Sequence, residues 1–339
     1  MTRPISVIVV NWKLPALLER ALASLARQTV PPEIIVVENE SSGSAHPLAA
    51  LYPGVRWIHN RHNEGFCRAN NQGIEAARGE FIALLNNDAE AEPGWIEALH
   101  SCFHADDIGM AASKILRHEN PRIVDKAGHL IYPDGQNRGR GSGQLDRGQF
   151  DREEEVLWPD GCAAMYRKSM LDRIGGFDED LFAYGDDAEL GLRARIAGWR
   201  CVYSPRAVVL HHGAMTLGRS SLRRMVLIER NRVLLAARHF PVSLLWRNGY
   251  YYALRIAAGI RAAALGEGEA RLFSGPGGKA RLACGLIAGD LAALLLLPRT
   301  LRKRTSARGA CILKPREIHD LVLGNRISLR ELSTRAAIS

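Results

Sequence analysis

Acidic and amide side chains follow an apolar, strand-like run in the first third of the chain. The run Phe81–Asn86 (FIALLN) leads directly into Asn87-Asp88-Ala89-Glu90. A hard divalent cation such as Mg²⁺ takes one or two carboxylates and completes its shell with substrate phosphates, so Asp88 could hold a metal shared with a diphosphate. An Asn/Asp turn that caps a helix beginning near Pro93 explains the same residues. This segment alone leaves both interpretations open.

A second polar segment, Glu38-Asn39-Glu40-Ser41-Ser42-Gly43, follows the predicted strand Glu33–Val37. Its carboxylate and hydroxyl groups would lie where the base or the ribose of a nucleotide could be gripped. An ordinary polar turn between a strand and a helix has the same composition. A nucleotide site and a turn are therefore both open for this segment.

A third acidic segment, Tyr184-Gly185-Asp186-Asp187-Ala188-Glu189, opens a predicted helix. Asp186 and Glu189 have the N-cap and N3 spacing of a capping box, with Asp in the Ser/Thr position. That interpretation leaves Asp187 in the first turn without a capping role. A carboxylate at a cleft could act there as a general base toward a hydroxyl.

Two adjacent histidines, His211 and His212, follow the predicted strand Ala207–Leu210. A histidine at the end of a strand could bind a metal or a phosphate group. A pair of surface histidines explains the sequence equally well.

The elements that must position these residues alternate between strand and helix. Short β-branched runs are separated by segments with apolar residues at helical spacing, which predicts an α/β domain with a mostly parallel sheet. Ligands bind such sheets beyond the carboxyl ends of the strands, where the acidic segments lie. Residues 133–155 are polar and glycine-rich, and predict one long loop.

Charge is distributed unevenly over the 339 residues, whose formal net charge is +9. Residues 1–215 contain 23 basic and 29 acidic side chains, a net charge of −6, whereas residues 216–339 contain 22 basic and 7 acidic ones, a net charge of +15. The six cysteines include no Cys-x-x-Cys pair, which favours a reduced, cytoplasmic protein.

The basic C-terminal third predicts helices over Arg219–Phe240 and Leu244–Leu265. Basic helices with apolar faces are typical of proteins that lie on an anionic membrane surface, and a soluble helical subdomain is the alternative. The apolar stretch Leu282–Leu297 ends before Pro298 and is interrupted by Asp290. A spanning helix needs about 20 predominantly apolar residues, so this stretch is not expected to cross a membrane.

Several nucleotide and metal motifs are absent from the sequence. It contains no G-x-x-x-x-G-K-[ST] loop, no G-x-G-x-x-G after a strand and no H-E-x-x-H. A nucleotidyltransferase would need a glycine-rich loop near the N-terminus, where Asn11-Trp12-Lys13-Leu14 offers none. A nucleic-acid-binding protein is the non-enzymatic alternative, since the pI is about 9.5, but the basic third lacks an aromatic-interleaved recognition motif.

Taken in order, these segments resemble the family 2 glycosyltransferases of GT-A fold, in the branch that includes bacterial rhamnosyltransferases. The resemblance runs from about Ile5 to Gly218. It is carried by seven short motifs in the family's sequence order: Val9-Val10-Asn11-Trp12, Ser24-Leu25 with Gln28-Thr29, Val36-Val37-Glu38-Asn39, Asn63-Glu64-Gly65-Phe66 with Ala69-Asn70-Asn71, Leu84-Leu85-Asn86-Asn87-Asp88, Gly175-Gly176-Phe177-Asp178-Glu179, and Tyr184-Gly185-Asp186-Asp187.

The resemblance implies a role for each matched position. Asp88 would hold a divalent metal, Mg²⁺ or Mn²⁺, together with His211 or His212. Asp187 would be the catalytic base, preceded by the acidic Asp186. The nucleotide-sugar donor would contact a set of mainly polar residues: Asn11, Glu38, Asn63, Gly65, Asn70, Asn87, Trp158 and Gly161.

Three positions depart from the family's pattern. Asn86 occupies the first place of the metal-binding D-x-D position, as is common in this branch. Glu38 stands where the family usually has an Asp that contacts the base, and Gly43 stands where it has a second Asp. The preference for a nucleotide base therefore stays open.

The resemblance implies a catalytic domain over residues 1–218 and a basic helical region over residues 219–339. The implied reaction is an inverting transfer of a sugar, with rhamnose as one candidate, from a nucleoside diphosphate to a hydroxyl of a glycan or lipid-linked acceptor in cell-envelope polysaccharide synthesis. The expected location is the inner face of the cell membrane, as a peripheral protein of the cytoplasm that has no nucleic-acid partner.

Overall fold

The computed structural model describes residues 5–40, 46–213, 221–265, 276–306 and 311–334, with the single residues 267 and 309. The predicted domain boundary at residue 218 and the position of Gly43 lie outside these residues.

The first part of the chain alternates strands and helices as predicted. Apolar β-branched runs form the strands, and their side chains are buried because helices cover both faces of the sheet. The elements are β1 (Ile5–Asn11), α1 (Pro15–Ala26), β2 (Glu33–Asn39), α2 (His46–Leu51), β3 (Arg56–Asn60), α3 (Phe66–Ala76) and β4 (Phe81–Leu85). Strands β3, β2, β1 and β4 are neighbours in that order and all run parallel.

The second part of the chain extends the same sheet. Its elements are β5 (Ala89–Ala91), α4 (Trp95–His100), β6 (Ile108–Arg117), β7 (Val124–Lys126), β8 (His129–Ile131), β9 (Asn137–Gly139), β10 (Glu154–Val156), β11 (Ala163–Arg167), α5 (Lys168–Ile174), α6 (Asp186–Ile196) and β12 (Arg200–His211). Within the described residues the main sheet has ten strands, and β11 lies antiparallel between β4 and β6, while β12 runs parallel to β6. The predicted mostly parallel α/β fold is confirmed.

The prediction of one long loop over residues 133–155 is wrong in part. Strand β9 pairs with β8 in an antiparallel hairpin, and β10 pairs with the edge of β12. Gly135 has φ of 101° in the hairpin turn, a conformation that glycine adopts without steric cost. Backbone hydrogen bonds thus form short strands in this segment, which its polar composition does not predict.

The C-terminal third forms α7 (Leu222–His239), α8 (Val242–Ala264), α9 (Pro276–Ser306), α10 (Pro315–Gly324) and α11 (Leu329–Thr334). Leu234, Phe240 and Leu244 belong to the same buried core as side chains of the sheet. The C-terminal helices therefore pack directly on the α/β domain.

Helix α9 extends beyond both ends of the apolar stretch Leu282–Leu297 and continues through Pro298. A proline inside a helix costs about 3 kcal/mol. The helix packs closely on α7 before the proline: a Cβ at Gly285 would lie 2.8 Å from Met225, and one at Gly289 would lie 2.7 Å from Glu229. By length and composition α9 could cross a membrane, since Gly277–Ser306 contains a window of mean hydropathy 1.9, of which 17% is buried.

Candidate active site

Three of the predicted donor-binding residues form a hydrogen-bonded chain at the carboxyl ends of β4, β1 and β2. Asn87 Nδ2 donates to Asn11 Oδ1 over 2.7 Å, and Asn11 Nδ2 donates to Glu38 Oε2 over 2.9 Å. All three side chains are buried. The longer Glu38 carboxylate is thus held in place by the amide that ends the neighbouring strand.

A second polar group lies beside β2 and contains two more predicted residues. Asn39 Nδ2 donates to Asn63 Oδ1 over 3.0 Å, and the Gly65 N–H donates to the same oxygen over 2.9 Å. Gly65 has φ of 87°, and a Cβ there would lie 2.6 Å from the Phe182 ring. Glycine is therefore needed where this loop meets the segment that leads to Asp186 and Asp187.

Asp88 and His211 face one another from β-strand ends that the sequence separates by more than a hundred residues. Asp88 Oδ1 lies 3.4 Å from His211 Nε2, and the other ring nitrogen, Nδ1, lies 2.8 Å from Asp125 Oδ2. All three side chains are buried. Burial opposes the charged imidazolium, but interactions with Cys162 and with these two carboxylates raise the pKa of His211 well above its ordinary value.

His212 points away from Asp88, because successive side chains on a strand face opposite sides. Its Nε2 lies 2.8 Å from Glu90 Oε1, and its ring stacks on His118 with centroids 3.8 Å apart. The Arg20 Nε atom lies 2.9 Å from the same Glu90 oxygen. His212 therefore belongs to a separate, partly exposed ion-pair network.

The donor atoms around Asp88 fit a divalent cation. Two ligands that each lie about 2.1 Å from one octahedral ion are separated by about 3 Å, close to the distance between Asp88 Oδ1 and His211 Nε2. A histidine ligand is normally oriented by a carboxylate on its other nitrogen, the position that Asp125 occupies. One carboxylate and one imidazole leave most of the shell to phosphate oxygens and water.

Asp186 is the first residue of α6, so the predicted capping box is wrong. The N-cap is Gly185, with φ of 71°, and no side chain caps the helix. Glu189 is buried and its carboxylate lies 2.8 Å from Arg193 and 2.9 Å from His239. These partners, one of them supplied by α7, hold the Glu189 carboxylate inside the protein and away from the helix end.

Asp187 lies at the start of α6 within a buried group of charged side chains. Its Oδ1 accepts the Ala188 N–H over 2.7 Å, and its Oδ2 lies 3.4 Å from both the Gly161 nitrogen and His129 Nε2. His129 Nε2 also lies 2.7 Å from Asp160 Oδ2, which in turn lies 2.8 Å from Lys126 Nζ. Acidic and basic side chains therefore alternate in this group, in the order Asp187, His129, Asp160 and Lys126.

The pKa values in this group move in opposite directions. Burial and repulsion from Asp187 raise the pKa of Asp186 to about 8, and burial also raises the pKa of Asp187. Burial acts the same way on Asp160, but Lys126 and His129 hold the pKa of that carboxyl below its usual range. The two adjacent acids of α6 therefore bind a proton more tightly than an ordinary carboxyl group, whereas Asp160 binds one less tightly.

The remaining predicted residues lie in different surroundings. Trp158 is fully buried, and a Cβ at Gly191 of α6 would lie only 2.2 Å from it. Gly161 has room for a Cβ, with Asp186 Oδ2 at 3.7 Å. Asn70 Nδ2 donates to the Phe66 carbonyl of its own helix over 2.9 Å, a bond that stabilises α3.

Sequence reasoning missed Asp125, Lys126 and His129, which lie on β7 and β8. These three ionisable residues fall within five positions, next to Gly128, whose φ of 84° lets the chain turn back toward the site. That density of charge beside a turn glycine is the only signal in the sequence. The residues become neighbours of Asp160, Asp187 and His211 only through the tertiary fold.

Comparison with known families defines the class of protein. The model described as "Glycosyl transferase family 2" matches residues 6–175, and "Glycosyl transferase family group 2" matches residues 147–288. The chain belongs to glycosyltransferase family 2, in its rhamnosyltransferase-like branch, and it is a glycosyltransferase. The predicted family is therefore confirmed.

Individual relatives narrow the comparison. The N-acetylglucosaminyl-diphospho-decaprenol L-rhamnosyltransferase of Mycobacterium tuberculosis is 29% identical over 287 residues, which cover 77% of this chain and 92% of that protein. The glycosyltransferase YwdF of Bacillus subtilis is 31% identical over 54% of this chain and 65% of its own length.

Solved structures share the fold at low sequence identity. GalNAc-T7 with UDP, GalNAc and Mn²⁺ has a TM-score of 0.58 at 14% identity, covering 90% of this chain and 57% of that one. The mannosyltransferase PcManGT from Pyrobaculum calidifontis, in complex with GDP-Man and Mn²⁺, has a TM-score of 0.50 at 16% identity, covering 91% and 85%. The predicted GT-A fold is confirmed.

Proposed function

We propose that the protein is an inverting, metal-dependent glycosyltransferase that moves a sugar from a nucleoside diphosphate to a hydroxyl of a lipid-linked glycan. L-Rhamnose is the first donor sugar to test, because the M. tuberculosis relative that aligns over 92% of its length is named a rhamnosyltransferase acting on a lipid diphosphate. The proposed reaction is a step of cell-envelope polysaccharide synthesis and takes place on the cytoplasmic face of the membrane.

One observation carries the proposal: the segment Asp160–Cys162 contacts both Asp187 and the chain just before Asp88. The Asn86 N–H, two residues before Asp88, donates to the Cys162 carbonyl over 2.8 Å, and the Gly161 nitrogen lies 3.4 Å from Asp187 Oδ2. A diphosphate at Asp88 and an acceptor hydroxyl at Asp187 would therefore meet over a single short segment. Such an arrangement suits displacement at one carbon atom.

The proton and the charge in the reaction have separate destinations. The acceptor oxygen forms its bond to the anomeric carbon as the bond from that carbon to the diphosphate oxygen breaks, and the electron pair leaves with the diphosphate. Asp187 takes the hydroxyl proton as a general base. Asp88 and His211 would hold a divalent cation, which supplies positive charge to the departing diphosphate when bound.

Donor use tests the proposal directly. The purified protein is incubated with Mg²⁺ or Mn²⁺, a short-chain prenyl-diphosphate-linked GlcNAc acceptor, and UDP-, dTDP- and GDP-sugars in turn. We expect release of nucleoside diphosphate with one donor class and a product whose new anomeric centre is inverted by NMR. A product of retained configuration would contradict the role of Asp187, and no transfer from any donor would contradict the proposed reaction.

The outward faces of α8 and α9 support a membrane-surface location. Trp246 on α8 is 89% exposed and Leu295 on α9 is 84% exposed, and each continues an apolar stripe along its helix. The stripes consist of Val242, Trp246 and Tyr250 on α8, and Ile287, Leu291, Leu294 and Leu295 on α9. Exposed basic residues flank them, as on helices that lie on anionic lipid: Arg247, Arg261, Lys279, Arg281 and Arg302.

The contacts of α9 favour a helix that lies along the surface over one that crosses the bilayer. Asp290 in its middle accepts hydrogen bonds from Arg232 of α7, over 3.1 Å, and from Tyr252 of α8, over 2.9 Å. Near its end, Arg299 and Lys303 pair with acids of the catalytic domain. A spanning α9 would lose these pairs or draw the catalytic domain into the lipid.

Vesicle binding tests this location. We expect co-sedimentation with vesicles containing anionic phosphatidylglycerol at low salt, and weaker binding to vesicles of phosphatidylcholine alone. The double variant Trp246→Ser/Leu295→Ser should bind less. The control is Leu51→Ser, which replaces an exposed leucine on α2 and should bind like the parent protein. Equal binding by all three proteins would contradict the assignment of this face.

A further inference from the structure

One buried residue near Asp187 has no role in the proposed reaction so far. His129 of β8 presents Nε2 to two carboxylates at once, 2.7 Å from Asp160 Oδ2 and 3.4 Å from Asp187 Oδ2. A charged carboxylate can only accept hydrogen bonds, so the hydrogen atom lies on Nε2. The imidazole thus bridges the acid before Gly161 and the acid that would take the acceptor proton.

The His129 ring is fixed by its surroundings. It stacks on the indole of Trp158 with the ring planes 27° apart and the ring centroids 6.1 Å apart, and its side chain is 6% exposed. Trp158 is pressed against Gly191 of α6, where even a Cβ would clash. The helix that begins with Asp186 and Asp187 therefore also fixes the indole that backs the imidazole.

Only one of the two ring nitrogens of His129 has a hydrogen-bond partner among the described residues, and packing alone does not explain this. Its Nδ1 atom is buried and has no hydrogen-bond partner among the described residues. A buried polar atom without a partner costs about 1–3 kcal/mol. A residue with no polar atoms would fill the same space without that cost, so the position favours a chemical role for the imidazole.

The group is better suited to an ion-pair cluster than to a metal. Lys126 Nζ lies 2.8 Å from Asp160 Oδ2, the oxygen that a cation bound between His129 and Asp160 would need. A divalent ion there would be placed beside an ammonium group and would be repelled by it. The ammonium and imidazolium groups together balance the charges of Asp160 and Asp187.

We propose that His129 is a positioning residue for Asp187, which it holds in its charged form and in the orientation that receives the acceptor proton. This inference rests on the proposed function, since it assumes that Asp187 is the base. The charged and titratable groups that face Asp187 come from four elements and the loop before β11: His129, Lys126, Asp160, Asp186 and Tyr166.

The direction of the expected pH effect follows from the charges. Asp187 accepts a proton only as a carboxylate, so activity falls as the pH drops through its pKa. Burial raises that pKa, and the charge of His129 opposes the rise. Removing this charge should raise the pKa of Asp187 further and move the acidic limb of the pH profile to higher pH, by roughly 1–3 units.

Two substitutions separate the charge of His129 from its hydrogen bond. His129→Gln can keep an N–H near the position of Nε2 but has no charge, so we expect the shifted acidic limb with donor KM unchanged. His129→Ala removes both, and we expect the same shift with kcat lower by on the order of 10²-fold, as for a misplaced catalytic group. His239→Gln is the matched control, because His239 is also buried with Nε2 on a carboxylate, that of Glu189.

The outcomes distinguish this inference from the proposed function. An unshifted acidic limb in His129→Gln, while the parent protein transfers sugar, would overturn the inference alone, as would an equal shift in His239→Gln. Imidazole NMR of ¹⁵N-histidine-labelled protein gives a reading without turnover. In spite of burial, Asp187 and Asp160 raise the pKa of His129, and Asp187→Asn should lower it; an unchanged His129 titration in that variant would also overturn the inference.

Discussion

The α/β domain and the C-terminal helices carry opposite net charge, and a row of ion pairs, called here the seam, joins the two. The acidic side contributes Asp134, Asp178, Asp180 and Glu189, and the basic side contributes Arg238, Arg255, Arg299 and Lys303. Asp178, for example, pairs with both Arg238 of α7 and Lys303 of α9. Part of the basic surplus in the sequence is therefore neutralised inside the molecule.

The difference between the two regions also separates their tasks. In the α/β domain the carboxylates to which we assign the chemistry are buried at strand and helix ends, and their partners fix them in place. The C-terminal helices hold the segment before Asp186 on their inner side and expose apolar stripes on their outer side. A substitution in the first region should therefore change the transfer reaction itself. A substitution in the second should change the stability of the segment before Asp186 or the binding of the protein to a membrane.

The largest expected effect is that of removing the proposed base. Asp187→Asn should lower the transfer rate by about 10²–10⁴-fold, because the amide cannot accept the hydroxyl proton. Donor binding should be largely retained, since the nucleotide is expected to contact the ends of β1, β2 and β4. Initial rates and calorimetric titration with the donor measure the two properties separately. Near-normal turnover would contradict the role of Asp187.

Removal of a proposed metal ligand should weaken donor binding more than removal of the proposed base does. Asp88→Ala should weaken metal-dependent donor binding, because it removes the carboxylate that lies beside the Nε2 atom of His211. His211→Ala should lose more of this binding than His212→Ala, whose side chain meets Glu90 instead. Calorimetry of the donor with and without Mn²⁺ provides the measurement, and the reverse order of the two histidine variants would contradict the assignment.

A substitution in α7 tests whether the C-terminal helices support the catalytic segment. The Asn231 amide lies 3.0 Å, 2.9 Å and 2.6 Å from the carbonyl oxygens of Leu181, Ala183 and Tyr184. In Asn231→Asp a carboxylate would face three carbonyl oxygens in a buried site. We expect the free energy of unfolding to fall by about 3 kcal/mol and turnover to fall at least about tenfold.

Asn325→Asp is the control for this substitution. Like Asn231, Asn325 donates its side-chain amide to the backbone, but it has one carbonyl partner in place of three. That partner is Leu321, near the end of α10. Turnover should stay close to that of the parent protein. If both variants lost turnover equally at matched stability, Asn231 would have no specific link to the segment that precedes Asp186.

The smallest expected effect comes from one ion pair of the seam. Lys303→Met should lower the free energy of unfolding by about 1 kcal/mol or less, because Asp178 keeps Arg238 and the lysine is partly exposed. Thermal unfolding at low and high salt measures the loss. An effect larger than that of Asn231→Asp would reverse the expected ranking of the two contacts.

Many of the candidate site residues could be identified from the sequence one at a time. Which of their side chains lie next to one another could not be predicted. The runs before Asn11, Glu38 and Asp88 predict strand ends, and parallel strand ends meet at one edge of a sheet. The choice between His211 and His212 could not be made, because it depends on which of the two side chains the folded chain turns toward Asp88 and Asp125. The capping-box prediction failed because Glu189 has buried partners on α7 that no local pattern reveals.

By itself the sequence determined the α/β order of elements, the family and the polar residues that end the strands, because these follow from local periodicity and from motifs in a fixed order. Only the tertiary structure decided which charges neutralise one another. His129 reaches Asp187, and Lys303 reaches Asp178, across separations of 58 and 125 positions along the chain. Coulomb interactions and desolvation depend on distance in space, and that distance is set only when the core has packed.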